Sequence, residues 1–273
     1  MKKKVLGILI ALGICIPAYA SIAVAPTKVE INANKIRNNY ATTAIEIKGD
    51  KAKPMRFRVY SGYFTVSDDS KVVISDKKGD PMDISDRVRF VPSEFTVPPG
   101  KTQKLRINLA NIKTFQEGES RAILYIEDVQ AKEVDVPNDY GIGAQLILKT
   151  RVGVPIYVDK GKFVKQAEVQ DFKIVRGKDG LYTEMKVKSL GNSRVRYSGN
   201  FQIVKGRKLI AEYPLLGNMV GVGNTYTAKQ KIDTSNIKEA GEYTIRMVLH
   251  YIDEKGIRKN IKKDAILNIT GEI

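Results

Sequence analysis

Apolar residues in this chain recur at every second position. Thr43, Ile45 and Ile47 alternate with Ala44, Glu46 and Lys48; Met55, Phe57 and Val59 with Arg56, Arg58 and Tyr60; Leu105, Ile107 and Leu109 with Lys104, Arg106 and Asn108. A period of two sends alternate side chains to opposite faces, so each segment predicts a half-buried strand with one wet face. Turn formers separate the segments, as at Pro98-Pro99-Gly100 and Gly79-Asp80-Pro81. No window shows a convincing amphipathic helical period. Many short strands between regular turns predict an all-β chain of β-sandwich domains.

Residues 141–158 stand apart. Ile142, Ala144, Leu146 and Leu148 recur at period two, and the segment runs on to Val154-Pro155-Ile156-Tyr157-Val158. The pattern predicts one long strand. Proline cannot donate to a ladder, so Pro155 favours a sheet edge or a strand end. A long apolar strand with an open edge is an aggregation hazard. A protein that keeps one can use it to pair with another chain. The competing reading is an ordinary core strand of a sandwich.

Asp159-Lys160-Gly161-Lys162 is short and polar, and the strand pattern restarts beyond it at Phe172–Val175. It continues at Tyr182–Val187, Tyr197–Val204, Thr225–Ile232, Tyr243–Tyr251 and Ala265–Ile269, with turn signals at Gly191-Asn192, Gly206-Arg207 and Lys255-Gly256. Residues 21–158 are therefore expected to form one sandwich and 163–273 a second, smaller one. No internal repeat is strong enough to indicate a duplication.

The first twenty residues change the compartment. Lys2-Lys3-Lys4, the apolar run Val5–Ile16 and Ala18-Tyr19-Ala20 have the layout of a cleavable secretory signal, predicting an exported chain that begins at Ser21. A lipid anchor on Cys15 is disfavoured, because Ile14 stands where a small residue is expected. Cys15 is the only cysteine, so the exported chain has no disulfide, no cysteine nucleophile and no zinc–thiolate site. Loss of the three lysines lowers the formal charge from +16 to +13. The cations are scattered along alternating strands, as at Lys48, Lys51, Lys53, Arg56 and Arg58, which reads as solvated strand faces or as attraction to an acidic partner. Nucleic acid is not an expected ligand.

Catalytic chemistry finds little purchase. The one histidine, His250, lies within the apolar run Val248–Ile252, and there is no Gly-x-Ser-x-Gly elbow, phosphate loop or His-x-x-x-His pair. Asp68-Asp69 and Asp83 with Asp86 lack the spacing and glycine of a calcium loop and read as solvated turns. No enzymatic activity, metal or cofactor is expected.

Three stretches carry a family resemblance. Val91-Pro92-Ser93-Glu94-Phe95-Thr96-Val97-Pro98-Pro99-Gly100-Lys101-Thr102-Gln103-Lys104-Leu105-Arg106 resembles a pattern of proline, apolar pair, Pro-Gly, Gln and a strand ending in Arg. Glu119-Ser120-Arg121-Ala122-Ile123-Leu124-Tyr125-Ile126-Glu127 resembles a Glu-Ser strand, and Thr150–Val158 completes the set. Together they are similar to the PapD-like periplasmic chaperones of the chaperone–usher pilus pathway, most of all its archaic branch. The likeness covers most of residues 22–158. The second domain agrees in size, position and sandwich pattern.

The resemblance implies two immunoglobulin-like β-sandwich domains in tandem and a periplasmic chaperone. Such a chaperone lends a strand to pilus or fimbrial subunits that lack one, then delivers them to an outer-membrane usher without being embedded in the membrane. The donor positions it implies are Ile142, Ala144, Leu146 and Leu148. Thr27-Lys28-Val29 matches the family's Thr-Arg-Val, so Lys28 takes the place of an arginine that anchors the subunit's C-terminal carboxylate. The family's second cation aligns with Gly153, and Arg151, on the same strand face, is its candidate substitute. Arg106 and Glu119 match positions of an interdomain ion pair, with Asp253 or Glu254 as the expected partner. A secreted structural or adhesion protein of two immunoglobulin-like domains fits the same strands. A carbohydrate module needs an aromatic platform, but the chain has no tryptophan and its thirteen tyrosines are dispersed.

Overall fold

The computed structural model describes residues 22–75, 79–130, 132–136 and 144–270. In the first half these form β1 (Ala23–Ala25), β2 (Val29–Asn32), β3 (Tyr40–Lys48), β4 (Met55–Val66), β5 (Val72–Ser75), β6 (Val88–Val91), β7 (Glu94–Val97), β8 (Thr102–Ala110), β9 (Gly118–Asp128), β10 (Lys132–Val136), β11 (Ala144–Leu148) and β12 (Arg151–Lys160). One sheet has the order β1-β3-β8-β6. The facing sheet runs β2-β12-β9-β4-β5, with β7 also on β4. The first strand is shared between the sheets: β1 pairs antiparallel with β3, and β2 parallel with β12. This is the strand order of an immunoglobulin sandwich.

The alternating residues explain the packing. Ile45, Ile47, Leu105, Ile107 and Leu109 point inward from one sheet; Phe57, Leu124, Ile126, Val154, Ile156 and Val158 meet them from the other. All are within a percent or so of complete burial. The charged residues between them, such as Glu46, Arg56 and Lys104, stay exposed.

The second half contains β13 (Ala167–Gly177), β14 (Gly180–Ser189), β15 (Val195–Lys205), β16 (Lys208–Val220), β17 (Thr225–Lys231), β18 (Gly241–Ile252) and β19 (Arg258–Ile269). Sheet β13-β14-β17 faces sheet β16-β15-β18-β19. They enclose a core of their own, around Val187, Phe201, Ile203, Ile245, Met247 and Leu249. The architecture is two immunoglobulin-like sandwiches in tandem.

The expected single strand over 141–158 is two elements. β11 pairs with β10 in a separate two-stranded ribbon, while β12 lies in the sandwich between β9 and β2. The ladders part at Lys149-Thr150. Of the strands the pattern does not mark, the two with the clearest physical reason are β16 and β5. β16 carries Pro214 and Gly217 and two register shifts against β15, which erase its alternation. β5 is an uninterrupted Val72-Val73-Ile74 at the sheet margin, each about half exposed, so neither face is polar enough to give a period.

Several outer strands are blunted as sheet edges. β1, β5 and β6 are three or four residues long. β13 shifts register at Val169/Asp171, and β19 carries Lys259, Lys262 and Lys263. Along β16 the amide of Gln230 accepts from Leu216 N at 3.0 Å and donates to the Pro214 carbonyl at 2.8 Å, occupying the positions a further strand would use.

Candidate functional site

Strand β12 positions the site. Val154, Ile156 and Val158 fill the core, so Arg151, Gly153, Pro155, Tyr157 and Asp159 occupy its outer face. β9 borders it along its whole length, but β2 joins only at Ile156↔Val29. From Arg151 to Pro155 the other edge of β12 has no ladder among the described residues. Pro155 sits at the last open position, where its missing N–H costs no bond to a neighbouring strand. Lys28 immediately precedes the point at which β2 closes that edge.

An aromatic band lies on the same outer face. Phe64, Val66, Ile123, Tyr125 and Tyr157 form a buried cluster that Met219 of the second sandwich completes. Tyr60 packs on Tyr125 with ring centres 5.1 Å apart, and Phe64 meets Tyr157 edge-on at 5.5 Å. Strand β9 is consequently buried on both faces. Asn224 Nδ2 donates to the Val66 carbonyl at 2.6 Å and Ser70 Oγ to the Met219 carbonyl at 2.5 Å, tying the β4–β5 turn to the second sandwich.

Below the aromatic band the junction is ionic. Arg194, on the turn before β15, is almost wholly buried, and its Nη1 lies 3.1 Å from both Glu119 Oε2 and Asp159 Oδ1. Its backbone N–H also donates to Glu119 Oε2, at 2.9 Å, and its guanidinium stacks 4.0 Å from the Tyr157 ring centre. Ser193 Oγ donates to Asp159, whose other oxygen meets Lys165 Nζ at 3.0 Å. Burial works against the charge on Arg194, but Glu119, Asp159 and Glu30 outweigh it and hold its pKa above the usual arginine value. Glu30 itself accepts from Arg196 Nε at 2.7 Å and lies 3.2 Å from Arg194 Nη2. Burial disfavours its ionised form, yet the Arg196 hydrogen bond and the nearby cations win, holding its carboxyl at about 2.

Glu119 thus joins an ion pair between the sandwiches, with a partner other than the one expected. Glu119 bonds Arg194, a cation from the second sandwich. Arg106 lies on the exposed face of β8, opposite Ala44 and Val91, and takes no part. Asp253 caps its own turn, accepting from Lys255 N and Ile257 N and facing Lys259 at 3.4 Å; Glu254 accepts from Lys165 N. A buried carboxylate requires a cation, and neither acid can supply one.

The structure places Lys28 and Arg151, the two expected anchors of a subunit carboxylate, well apart. In the parallel register Lys28 lies level with Pro155, four residues beyond Arg151, so they are about 13 Å apart along the sheet at ~3.3 Å per residue. Arg151 donates to Tyr60 OH at 2.9 Å and covers the Tyr125 ring at 4.5 Å. Lys28 instead sits 3.9 Å from Glu30, and its pKa is lowered by partial burial and then by the positive charge of Arg196. Gly153 packs flat: a Cβ there would fall 2.7 Å from Ile123 Cδ1.

Of the donor positions, Ile142 lies outside the described residues. Ala144, Leu146 and Leu148 lie in β11, in register with Val136, Val134 and Lys132. The acidic turns act locally: Asp69 pairs with Lys71, Asp83 caps Ser85 N, and Asp86 pairs with Arg87. Among the described residues no cluster of His, Cys, Asp and Glu could hold a metal ion, and no helix is long and apolar enough to cross a membrane.

No family model and no curated protein matches the chain. Solved structures do. The CupB2 chaperone of Pseudomonas aeruginosa is 12% identical over 91% of this chain and 100% of its own, with a TM-score of 0.41. The YadV chaperone is 11% identical over 90% and 100%, with a TM-score of 0.44. In the CsuC–CsuE chaperone–tip subunit complex of Acinetobacter baumannii the match is 13% identical over 90% and 98%, with a TM-score of 0.42. The likeness is one of fold.

Proposed function

We propose that this chain is a periplasmic chaperone of pilus or fimbrial assembly, which lends a strand to subunits and passes them to an outer-membrane usher. The observation that carries the proposal is the edge of β12, open from Arg151 to Pro155, continued by the β10–β11 ribbon at one end and closed beside Lys28 at the other. An incoming strand laid on that edge would gain backbone hydrogen bonds along the sheet, while alternate side chains of the lent segment filled its groove. Its terminal carboxylate would arrive at the cationic junction between the sandwiches. Residues 1–20 serve as the export signal, and the exported chain begins at Ser21.

Purification from an envelope fraction tests the proposal. A soluble one-to-one complex with small secreted subunits is expected, and its intact mass should place the N-terminus at Ser21. Fractionation with fibres or the cell surface points to a structural or adhesion protein. A lipid on Cys15 or retention of residues 1–20 would exclude the exported soluble form.

A further inference from the structure

The methionines of this chain are unequally placed. Met55, Met185, Met219 and Met247 are 6% exposed or less, inside the two cores and the joint between them. Among the described residues Met82 alone is a partly exposed methionine. It belongs to a strap that crosses β9. β4 leaves β9 after Gly62↔Ile123, and Met82–Ile84 takes over: Arg121 N donates to the Met82 carbonyl at 2.7 Å and Ile84 N to the Arg121 carbonyl at 3.2 Å. Asp80 Oδ1 holds the turn from the other side, accepting from Met82 N at 2.9 Å. The backbone that carries the thioether is thus pinned at the residue whose side chain meets it.

That side chain is a guanidinium short of acceptors. Arg121 is 6% exposed, and its Nη2 donates to Met82 Sδ at 2.7 Å. Among the described residues Nε and Nη1 have no hydrogen-bond partner; Nη1 lies 3.6 Å from Glu119 Oε1, and the Phe64 ring centre is 5.8 Å from the guanidinium carbon. A thioether is a weak acceptor, and a buried charged donor without a partner carries a desolvation cost that nothing offsets.

We infer that Met82 is an oxidation site whose sulfoxide oxygen is received by Arg121. The oxidant is a peroxide. The sulfur lone pair takes the nearer oxygen of hydrogen peroxide and the O–O bond breaks. The departing hydroxide collects the proton of the transferred oxygen and leaves as water, so sulfur loses two electrons and the peroxide gains them. Sulfoxidation ordinarily disrupts packing, because a polar oxygen enters an apolar site. Here the oxygen enters beside unpartnered charged donors, and the flexible side chain can draw the sulfur back to admit it. The modification tightens the strap instead of loosening it. Its effect reaches the joint, because Arg121 lies against Glu119, the acid that holds Arg194 from the second sandwich. The site requires no chaperone activity.

Limiting hydrogen peroxide applied to the full exported chain, followed by peptide mass mapping, tests the site. One oxygen should appear at Met82 before any at Met55, Met185, Met219 or Met247. The singly oxidised protein should melt at least ~3 °C above the untreated one, the shift expected of one hydrogen bond to a charged group in a chain of this size. The Arg121 Nε–Hε NMR signal should move with it. Met82→Leu at the same dose should show neither change, and Met82→Gln, which offers an amide oxygen, should melt above Met82→Leu. Oxidation of the buried methionines first, an unchanged or lowered melting temperature, or an unmoved Arg121 signal overturns the inference. If either variant fails to fold, the wild-type measurements decide alone.

Discussion

The residue with the most at stake is Arg194. Its side chain is 3% exposed, and it neutralises Glu119, whose side chain is wholly buried. Removing one partner of a buried pair leaves the other charged and unsolvated, a loss of about 3–5 kcal/mol. Arg194→Ala should lower the denaturation midpoint by that order, whereas Arg106→Ala should change it little; urea titration of both variants checks this. Glu30 gives a pH signature. Its folded pKa, about 2, lies below the ordinary carboxylate value of 4.5, so its stabilisation is complete above about 4.5 and is lost as pH falls towards 2. The stability gap between wild type and Glu30→Gln should therefore be widest near neutrality and close on acidification, as read from denaturation midpoints at a series of pH values. Glu119 was visible in the sequence as an acid opening an apolar strand. Its partner was not, because Arg194 lies 75 residues away, on a turn whose sequence shows only Gly191-Asn192.

At the scale of elements, alternation was enough to find β3, β4 and β8, whose buried and wet faces differ sharply. It failed where a strand has no such contrast: β5 is apolar on both faces, and β16 is interrupted by proline, glycine and bulges. It also joined β11 to β12, since a shared period says nothing about which neighbour each half pairs with. That distinction decides the strand-lending test. Among the described residues β11 pairs with β10 and with no strand of the sandwich, so Leu146→Glu with Leu148→Glu should leave the thermal transition in place. It should abolish subunit capture, because the charges would enter an apolar groove without partners. Collapse of folding would show that the ribbon is structural; survival of capture would exclude lending through this segment.

The whole molecule depends on the joint between its sandwiches, and this was the least legible feature. A junction is built from residues distant in sequence: Val66 with Asn224, Glu119 with Arg194, Tyr157 with Met219. Nothing in the periodicity of either half marks them. Met219 is 6% exposed, inside a cluster otherwise supplied by the first sandwich. Met219→Ala should cost about 2–5 kcal/mol of coupling between the halves. Scanning calorimetry should resolve one cooperative transition in the wild type into two in the variant; a single transition merely shifted down would mean that the halves unfold together through the ionic contacts alone.

The treatment of the sheet margins has a consequence best put in the language of polymer chemistry. A unit with two reactive ends propagates a chain, whereas a unit with one can only terminate it. The short margins β1, β5 and β6, the lysines of β19 and the Gln230 amide seated on β16 protect those margins, whereas the run from β11 to Pro155 is a long edge without such a device among the described residues. Under the proposed function, a chaperone that adds strands through that run alone would be monofunctional: it would cap a subunit that would otherwise polymerise, and would offer that subunit's successor nothing to grow from.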